Sequence, residues 1–168
     1  MIDTFQIDTL SVGDGALGLC PLPGREGTYD ADLEQIAAFA PSMVVTLTPV
    51  DEMVAYGVGD LPDRLATAGI GWAHFPIGDF GTPQPEAEGT WQDISAQVHV
   101  TLAQGGRVLI HCKAGRGRTG TAALRLMIEA GEDPDAALAR LRATRPGTVE
   151  TEAQQRWAEA ARAGPTTP

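Results

Sequence analysis

Short apolar runs alternate with segments of helical periodicity along the chain. Four runs have the length and residue types of buried strands: Ala16–Cys20, Met43–Leu47, Ile70–Phe75 and Val108–Ile110. A loosely alternating segment, Thr4–Val12, precedes the first run, and Gly13-Asp14-Gly15 between them predicts a hairpin. Helical spacing predicts helices over Asp30–Phe39, Glu86–Gln104, Thr119–Ala130 and Pro134–Ala143, and an irregular helical region that ends at Ala68. At 168 residues, these elements predict one domain of strands and helices.

The stretch from Val108 to Gly120 combines a strand, a tight loop and the start of a helix. Gly115 and Gly117 allow successive backbone N–H groups to point inward, and the following helix directs its positive end at the same place. A thiol at that place is expected to favour the thiolate, and Cys112 is that thiol. The pattern therefore predicts a nucleophile inside an anion-binding loop.

Two side chains beyond the loop extend this chemistry. Arg118, six positions after Cys112, can bind two oxygens of a phosphate at once. Thr119 can donate its hydroxyl to the sulfur and help it to leave. Cys, five residues, Arg and then Thr, preceded by His111, is the signature that this sequence shares with the cysteine-dependent protein tyrosine and dual-specificity phosphatases, which it resembles. A structural cysteine beside a glycine-rich turn is the alternative.

A second loop, Pro76–Pro83, follows a predicted strand and precedes a helix. Its glycines and prolines predict a sharply turned surface loop with one carboxylate, Asp79, near the tip. This is where the superfamily carries its movable general acid, and the chemistry requires a proton for the leaving oxygen. Asp79 is also suited to form a turn between glycines, and the two roles are compatible.

The chain resembles most closely the kinase-associated, cyclin-dependent kinase inhibitor 3-type dual-specificity phosphatases. The resemblance covers about residues 15 to 160 and rests on Leu17–Gly24, on the loop with Asp79 and on the loop with Cys112. It implies an α/β fold: a single domain with a central mixed, mostly parallel five-stranded sheet flanked by helices. The catalytic domain would comprise residues 1–163, with 164–168 as a frayed tail. The resemblance also implies a hydrolase that needs neither a metal nor a cofactor.

The loop residues Lys113, Ala114, Gly115, Arg116 and Gly117, together with Arg118, are the predicted phosphate-binding set. Lys113 and Arg116 make the loop more basic than in the kinase-associated type, and similar to the loop of the phosphoinositide phosphatase related to tensin. The two added cations favour a substrate with several anionic groups, or they point outward and pair with acids. Both interpretations stay open.

Gln154 follows Thr151 by three positions near the C-terminus. It matches a glutamine that helps to place the hydrolytic water in phosphatases of this type, but the same spacing is that of a helix capping box. Glu150 stands where the family often has Gln, and the sequence does not tell whether its carboxylate faces the site.

Four further polar residues are given ordinary roles. Asp51 and Glu52 are expected to be exposed carboxylates at a helix start, His74 a packed strand residue and His99 a helix-surface residue. Cys20 is expected to be a small buried residue, and a resolving partner that forms a disulfide with Cys112 is the alternative.

The net charge of −10 argues against non-specific binding to nucleic acid or to an anionic membrane. No segment approaches the roughly 20 apolar residues of a membrane span, and the N-terminus lacks a signal core. We expect a monomeric cytoplasmic protein, and the Ala, Gly and Arg bias suggests a bacterial source. The predicted function is a phosphatase that acts through a cysteinyl phosphate on phosphorylated proteins. Phosphoinositides or inositol phosphates are the second substrate class, and a phosphate-binding module without turnover is the third possibility.

Overall fold

The computed structural model describes residues 4–163, which form a five-stranded sheet with helices on both faces. The strands are β1 (Asp8–Val12), β2 (Gly15–Cys20), β3 (Met43–Thr46), β4 (Gly71–His74) and β5 (Arg107–His111). Their spatial order is β1-β2-β5-β3-β4. The β1 and β2 strands form the predicted antiparallel hairpin, and the other neighbouring strands are parallel. The predicted mixed, mostly parallel sheet is confirmed.

Seven α-helices connect and cover the strands within residues 4–163. They are α1 (Tyr29–Phe39), α2 (Val50–Ala55), α3 (Leu61–Thr67), α4 (Glu88–Ala103), α5 (Gly117–Glu129), α6 (Pro134–Thr144) and α7 (Glu152–Glu159). The irregular helical region divides into α2 and α3 at a turn where Gly57 adopts a positive φ of 72°. The predicted frayed tail, 164–168, lies outside the described residues.

The sheet separates two apolar clusters, which explains why its inner strands are apolar without alternation. Leu19, Val45 and Ile110 point into a cluster shared with α4 and α5, whereas Val44 and Leu109 point into one shared with α1 and α3. Strand β5 lies at the centre, so the loop at its C-terminal end is held by packing on both sides. That loop carries Cys112.

Helix α1 departs from its predicted apolar face. Ile36 is buried as expected, but Ala37 is exposed and the buried neighbour is a carboxylate, Asp32. Its Oδ2 accepts a hydrogen bond from the N–H of Gly24 at 2.8 Å. The helix therefore uses Asp32 to fix the loop that leaves β2.

A cluster of polar side chains joins α4 to α5. Glu129 accepts hydrogen bonds from Trp91 Nε1 at 3.0 Å, Ser95 Oγ at 2.7 Å and Arg125 Nε at 3.3 Å. His99 Nε2 lies 3.0 Å from the same carboxylate, and its side chain is 30% exposed, so this predicted helix-surface histidine also contacts the cluster. Burial would raise the pKa of Glu129, but the hydrogen bonds from its neighbours, led by His99, hold it below the ordinary value of 4.5.

We expect Glu129→Gln to lower the free energy of unfolding at pH 7 by about 1.5–3 kcal/mol, because the donors lose a charged acceptor. The folded-state pKa is depressed, so the stabilisation is complete above pH 4.5 and is lost as the pH falls through the folded value. Denaturant unfolding between pH 7 and pH 3 measures both effects. The variant should show a weaker pH dependence than the wild type.

Glu132→Gln is the matched control for this prediction, because Glu132 pairs with Arg140 near the surface. It should cost no more than about 1 kcal/mol. Equal losses in the two variants would contradict the role given to the cluster.

Candidate active site

The loop after β5 closes around the sulfur of Cys112. The side chain is buried, and Gly115 N–H donates to Sγ with an N–S distance of 3.2 Å. Gly115 has a φ of +74°, and a Cβ there would lie 2.6 Å from the backbone of Cys20. Only glycine fits this position, so the glycine that the sequence analysis singled out is required both for the turn and for the close approach to β2.

The side chain of His111, at the end of β5, stabilises the loop that carries Cys112 through hydrogen bonds. Trp72 Nε1 donates to Thr46 Oγ1 at 2.7 Å, and Thr46 Oγ1 lies 2.7 Å from His111 Nε2. The carbonyl of Cys112 can only accept, so Nδ1–H donates to it at 3.3 Å, and Nε2 of the neutral ring then accepts from the Thr46 hydroxyl. Burial lowers the pKa of His111 to about 4, so the ring is neutral at pH 7.

Arg118 lies in the first turn of α5 and its side chain is only 2% exposed. Its Nη1 and Nη2 donate to Glu52 at 2.8 and 2.9 Å, and Nη1 also donates to the carbonyl of Ile77 at 2.9 Å. Burial disfavours the charge, but Glu52, Cys112 and Asp79 together raise the pKa of Arg118 above its ordinary value. The guanidinium therefore stays charged beside the sulfur.

Asp79 reaches the same guanidinium from the second loop. Arg118 Nη2 donates to Oδ1 at 3.3 Å, and Lys113 Nζ donates to Oδ2 at 2.8 Å. Partial burial would raise the pKa of Asp79, but the Lys113 hydrogen bond, the two cations and the Phe80 N–H hold it below the ordinary value of 3.8. The predicted acid is thus ionised at pH 7, and its carboxylate binds Nη2 of Arg118.

Glu52 is a site residue that the sequence analysis missed. It was expected to be an exposed helix-start carboxylate, but its side chain is 21% exposed and binds Arg118 through both oxygens. The signal was its position: α2 follows β3, the parallel neighbour of the nucleophile strand, and carboxyl ends of parallel strands meet at one edge of a sheet. Asp51 is exposed, as predicted.

The structure does not contain the predicted hydrogen bond from Thr119 to the sulfur. Thr119 Oγ1 is buried and has no hydrogen-bond partner among the described residues, and Gly115 N–H is the donor to Sγ instead. The hydroxyl lies in the first turn of the helix that begins at the loop.

The basic loop residues are already engaged. Lys113 pairs with Asp79, and Arg116 Nε donates to the carbonyl of Pro146 at 3.2 Å. Lys113 therefore pairs with an acid, as one of the two interpretations expected, and this acid is the site residue Asp79. Ala114, Gly115 and Gly117 contribute backbone to the loop, as expected.

Gln154 forms the capping box, and it also contacts the second loop. Its Oε1 accepts from the N–H groups of Glu150 and Thr151 at 2.8 and 3.1 Å, and its Nε2 donates to the carbonyl of Gly81 at 3.3 Å. Gln154 thus ties the start of α7 to the loop of Asp79. The exposed residue Glu150 lies against the start of α5, because a Cβ on Gly117 would overlap its carboxylate.

Cys20 is buried, as predicted, and both cysteines are free. Burial raises the pKa of the Cys20 thiol far above its ordinary value. Cys20 and Cys112 belong to the two separate apolar clusters. A disulfide between them stays a prediction.

The comparisons with known proteins agree with this geometry. Residues 22–132 match the family described as "Tc-R-P: Polymorphic toxin system, DSP-PTPase phosphatase". Cyclin-dependent kinase inhibitor 3 of Mus musculus is 32% identical over 142 residues, which are 80% of this chain and 66% of the relative. The Homo sapiens protein is 29% identical over 143 residues, with the same coverage. The chain spans about two thirds of the length of these curated relatives.

Two solved structures are similar over nearly the whole chain. The kinase-associated phosphatase with serine in place of its catalytic-site cysteine has a TM-score of 0.84 at 25% identity, covering 98% of this chain and 99% of that one. The active form of Tk-PTP has a TM-score of 0.70 at 28% identity, covering 89% and 92%. The chain belongs to the cysteine-dependent dual-specificity phosphatase family, and the predicted resemblance to the kinase-associated type is confirmed.

The pairing of Asp79 with Lys113 predicts a measurable titration. In a carbon-13 NMR titration, the Asp79 carboxyl should titrate below its ordinary value of 3.8, and Lys113→Met should move it upward because the hydrogen bond and the charge are lost. Lys113→Arg, which keeps the charge, should move it less. An unchanged midpoint in Lys113→Met would contradict the pairing.

Proposed function

We propose that this protein hydrolyses phosphomonoesters in two steps through a cysteinyl phosphate. The observation that carries the proposal is the convergence of three groups from separate segments: the sulfur of Cys112 with a backbone N–H on it, the buried guanidinium of Arg118, and the carboxyl group of Asp79. A nucleophile, a charge-stabilising cation and a proton donor are the parts that covalent phosphoryl transfer needs.

In the first step, the Cys112 thiolate attacks phosphorus and the bond to the leaving oxygen breaks. Arg118 and the N–H groups of residues 113–118 hold the other phosphate oxygens, and protonated Asp79 gives its proton to the leaving oxygen. In the second step, Asp79 takes a proton from water, the water oxygen attacks phosphorus, and the bond between phosphorus and the Cys112 sulfur breaks. Thr119 assists that departure after a rotation of its side chain that brings Oγ1 to the sulfur, and Gln154 helps to place the water.

Phosphorylated proteins, at tyrosine, serine or threonine, are the proposed substrates. The dual-specificity phosphatase family and the kinase-associated relatives support this class. Phosphoinositides and inositol phosphates are second, because Lys113 and Arg116 supply two extra cations at the loop, although both side chains have protein partners here. A panel of phosphotyrosine and phosphothreonine peptides and phosphoinositides decides between the classes.

Residues 1–163 are proposed to act as one catalytic domain, monomeric and cytoplasmic. The two free cysteines support a reducing compartment. Within residues 4–163, none of the helices is long and apolar enough to cross a membrane.

Cys112→Ser should abolish the hydrolysis of p-nitrophenyl phosphate, because the hydroxyl is a far weaker nucleophile at neutral pH. The same variant should still bind tungstate, an oxyanion that mimics phosphate, since the loop amides and Arg118 are unchanged. Steady-state kinetics and calorimetry measure the two properties. Cys20→Ser, on the other face of the sheet, is the matched control and should keep wild-type turnover. Wild-type protein that binds tungstate without any turnover would indicate a phosphate-binding module instead.

Asp79→Asn should lower kcat by about 10²–10⁴-fold for aryl phosphates with poor leaving groups, because the leaving oxygen then receives no proton. The loss should shrink for p-nitrophenyl phosphate, whose leaving group needs little protonation. A series of substituted phenyl phosphates gives the slope of log kcat against leaving-group pKa. An identical slope for wild type and variant would remove Asp79 from the role of general acid.

A further inference from the structure

Arg145 is a buried cation that the chemistry described so far does not use. It directly follows α6, and its side chain is 8% exposed. Nε donates to the carbonyl of Gly115 at 2.6 Å, and Nη2 donates to the carbonyl of Ala114 at 3.0 Å. Nη1 donates to Asp8 Oδ2 at 2.8 Å. One guanidinium therefore joins the first strand to two consecutive carbonyls of the phosphate loop.

The position of these carbonyls determines where the loop N–H groups point. In a trans peptide, the C=O and the following N–H point in opposite directions. With its carbonyl held by Arg145, the Ala114–Gly115 peptide directs the N–H of Gly115 away from Arg145, and this N–H lies 3.2 Å from Cys112 Sγ. The carbonyl of Gly115, held in the same way, directs the N–H of Arg116 to the inside of the loop.

The flanking carbonyls are held from outside as well. The carbonyl of Lys113 accepts from Leu22 N–H at 3.1 Å, and that of Arg116 accepts from Gly120 N–H at 2.8 Å. The carbonyls of residues 113–116 thus all have donors other than the substrate. Arg145 donates to the middle two of these four carbonyls, and its planar guanidinium fixes the direction of both hydrogen bonds.

We propose that Arg145, oriented by Asp8, is a positioning residue for the phosphate loop. By holding the carbonyls of Ala114 and Gly115 outward, it keeps the N–H groups of Gly115 and Arg116 aimed at the sulfur and at the phosphate oxygens. Both Asp8 and Arg145 lie outside residues 22–132, the part that the family match covers. The catalytic consequence of this role rests on the proposed function, whereas its effect on oxyanion binding does not.

A purely structural role for Arg145 makes a different prediction. Removal of one partner from a buried ion pair destabilises a protein whatever else the pair does. Stability alone therefore does not distinguish the two roles. Oxyanion affinity and kcat of the folded variants do, because they depend on where the loop N–H groups point.

The test compares Arg145→Lys, Arg145→Met and Asp8→Asn, each alone for kinetics and each in the Cys112→Ser background for tungstate binding. Lysine keeps the charge but lacks the fork, so we expect tungstate affinity and kcat to fall about tenfold, the loss of roughly one charged hydrogen bond. Arg145→Met should lose about 10²-fold in both, as for a misplaced catalytic group. Asp8→Asn should fall between wild type and Arg145→Met.

Arg140→Met is the matched control. Arg140 lies on α6, five residues before Arg145, and it also reaches β1, through the carbonyl of Ser11 at 2.9 Å; its carboxylate partner is Glu132. It should lose stability without losing oxyanion affinity. Circular dichroism and thermal unfolding establish that each variant is folded. If Arg145→Met does not fold, Arg145→Lys and Asp8→Asn decide.

The positioning role is refuted if folded Arg145 variants bind tungstate and turn over p-nitrophenyl phosphate like the wild type and only unfold at a lower temperature. Wild-type protein that binds tungstate but has no turnover defeats the proposed function, and the binding comparison still tests Arg145. Wild-type protein that binds no tungstate overturns both.

Discussion

The buried charge of Arg118 is the constraint on which the site depends. A guanidinium that is 2% exposed must be matched by acceptors, since an unpaired buried charge costs several kcal/mol. Its partners are Glu52 from the start of α2, the carbonyl of Ile77 and Asp79 from the loop after β4. One side chain of α5 therefore contacts both the segment after β3 and the segment after β4, which also hydrogen-bond to each other through Ile77 N–H and the carbonyl of Leu47. The loop of Asp79 is held by that cation and, through Gly81, by Gln154.

The arrangement also describes the site as it stands before substrate. Arg118 has five N–H donors, of which those on Nη1 contact Glu52 and Ile77 and those on Nη2 contact Glu52 and Asp79. In the proposed mechanism, a phosphate that binds Arg118 would take the place of Asp79. The acid would then lose a cationic neighbour and gain an anionic one, and both changes would raise its pKa and favour the protonated form that the proposed general acid needs. Glu52 would stay bound and keep the guanidinium oriented.

The sequence allowed the strand, loop and helix around Cys112 to be predicted because each part has its own local signal. Strand residues, glycines and helical spacing specify a conformation over a few residues, and Cys112 and Arg118 are at a fixed distance along it. The loop that carries Asp79 was also predicted, since its glycines and prolines are a local pattern, whereas the role of Asp79 came from the family resemblance. Glu52 and Arg145 were not identified, because their roles depend on which distant segment each side chain meets. A carboxylate at a helix start gives the same sequence pattern whether it faces solvent or an arginine 66 positions away.

The same distinction, between local and distant contacts, separates the groups that would bind phosphate from the residues that hold those groups in position. The inward N–H groups belong to the loop itself, but a glycine-rich loop has many conformations, and its backbone entropy opposes any single one. The donors on its carbonyls come from β2's following loop, from α5 and from the residue after α6. Each of these elements is anchored in one of the two apolar clusters. Packing of the whole domain thus stabilises the one conformation of the loop that the anion site needs. A change far from the sulfur that loosens β1 or α6 is therefore expected to alter the direction of a peptide N–H in the loop and, through it, the reaction rate.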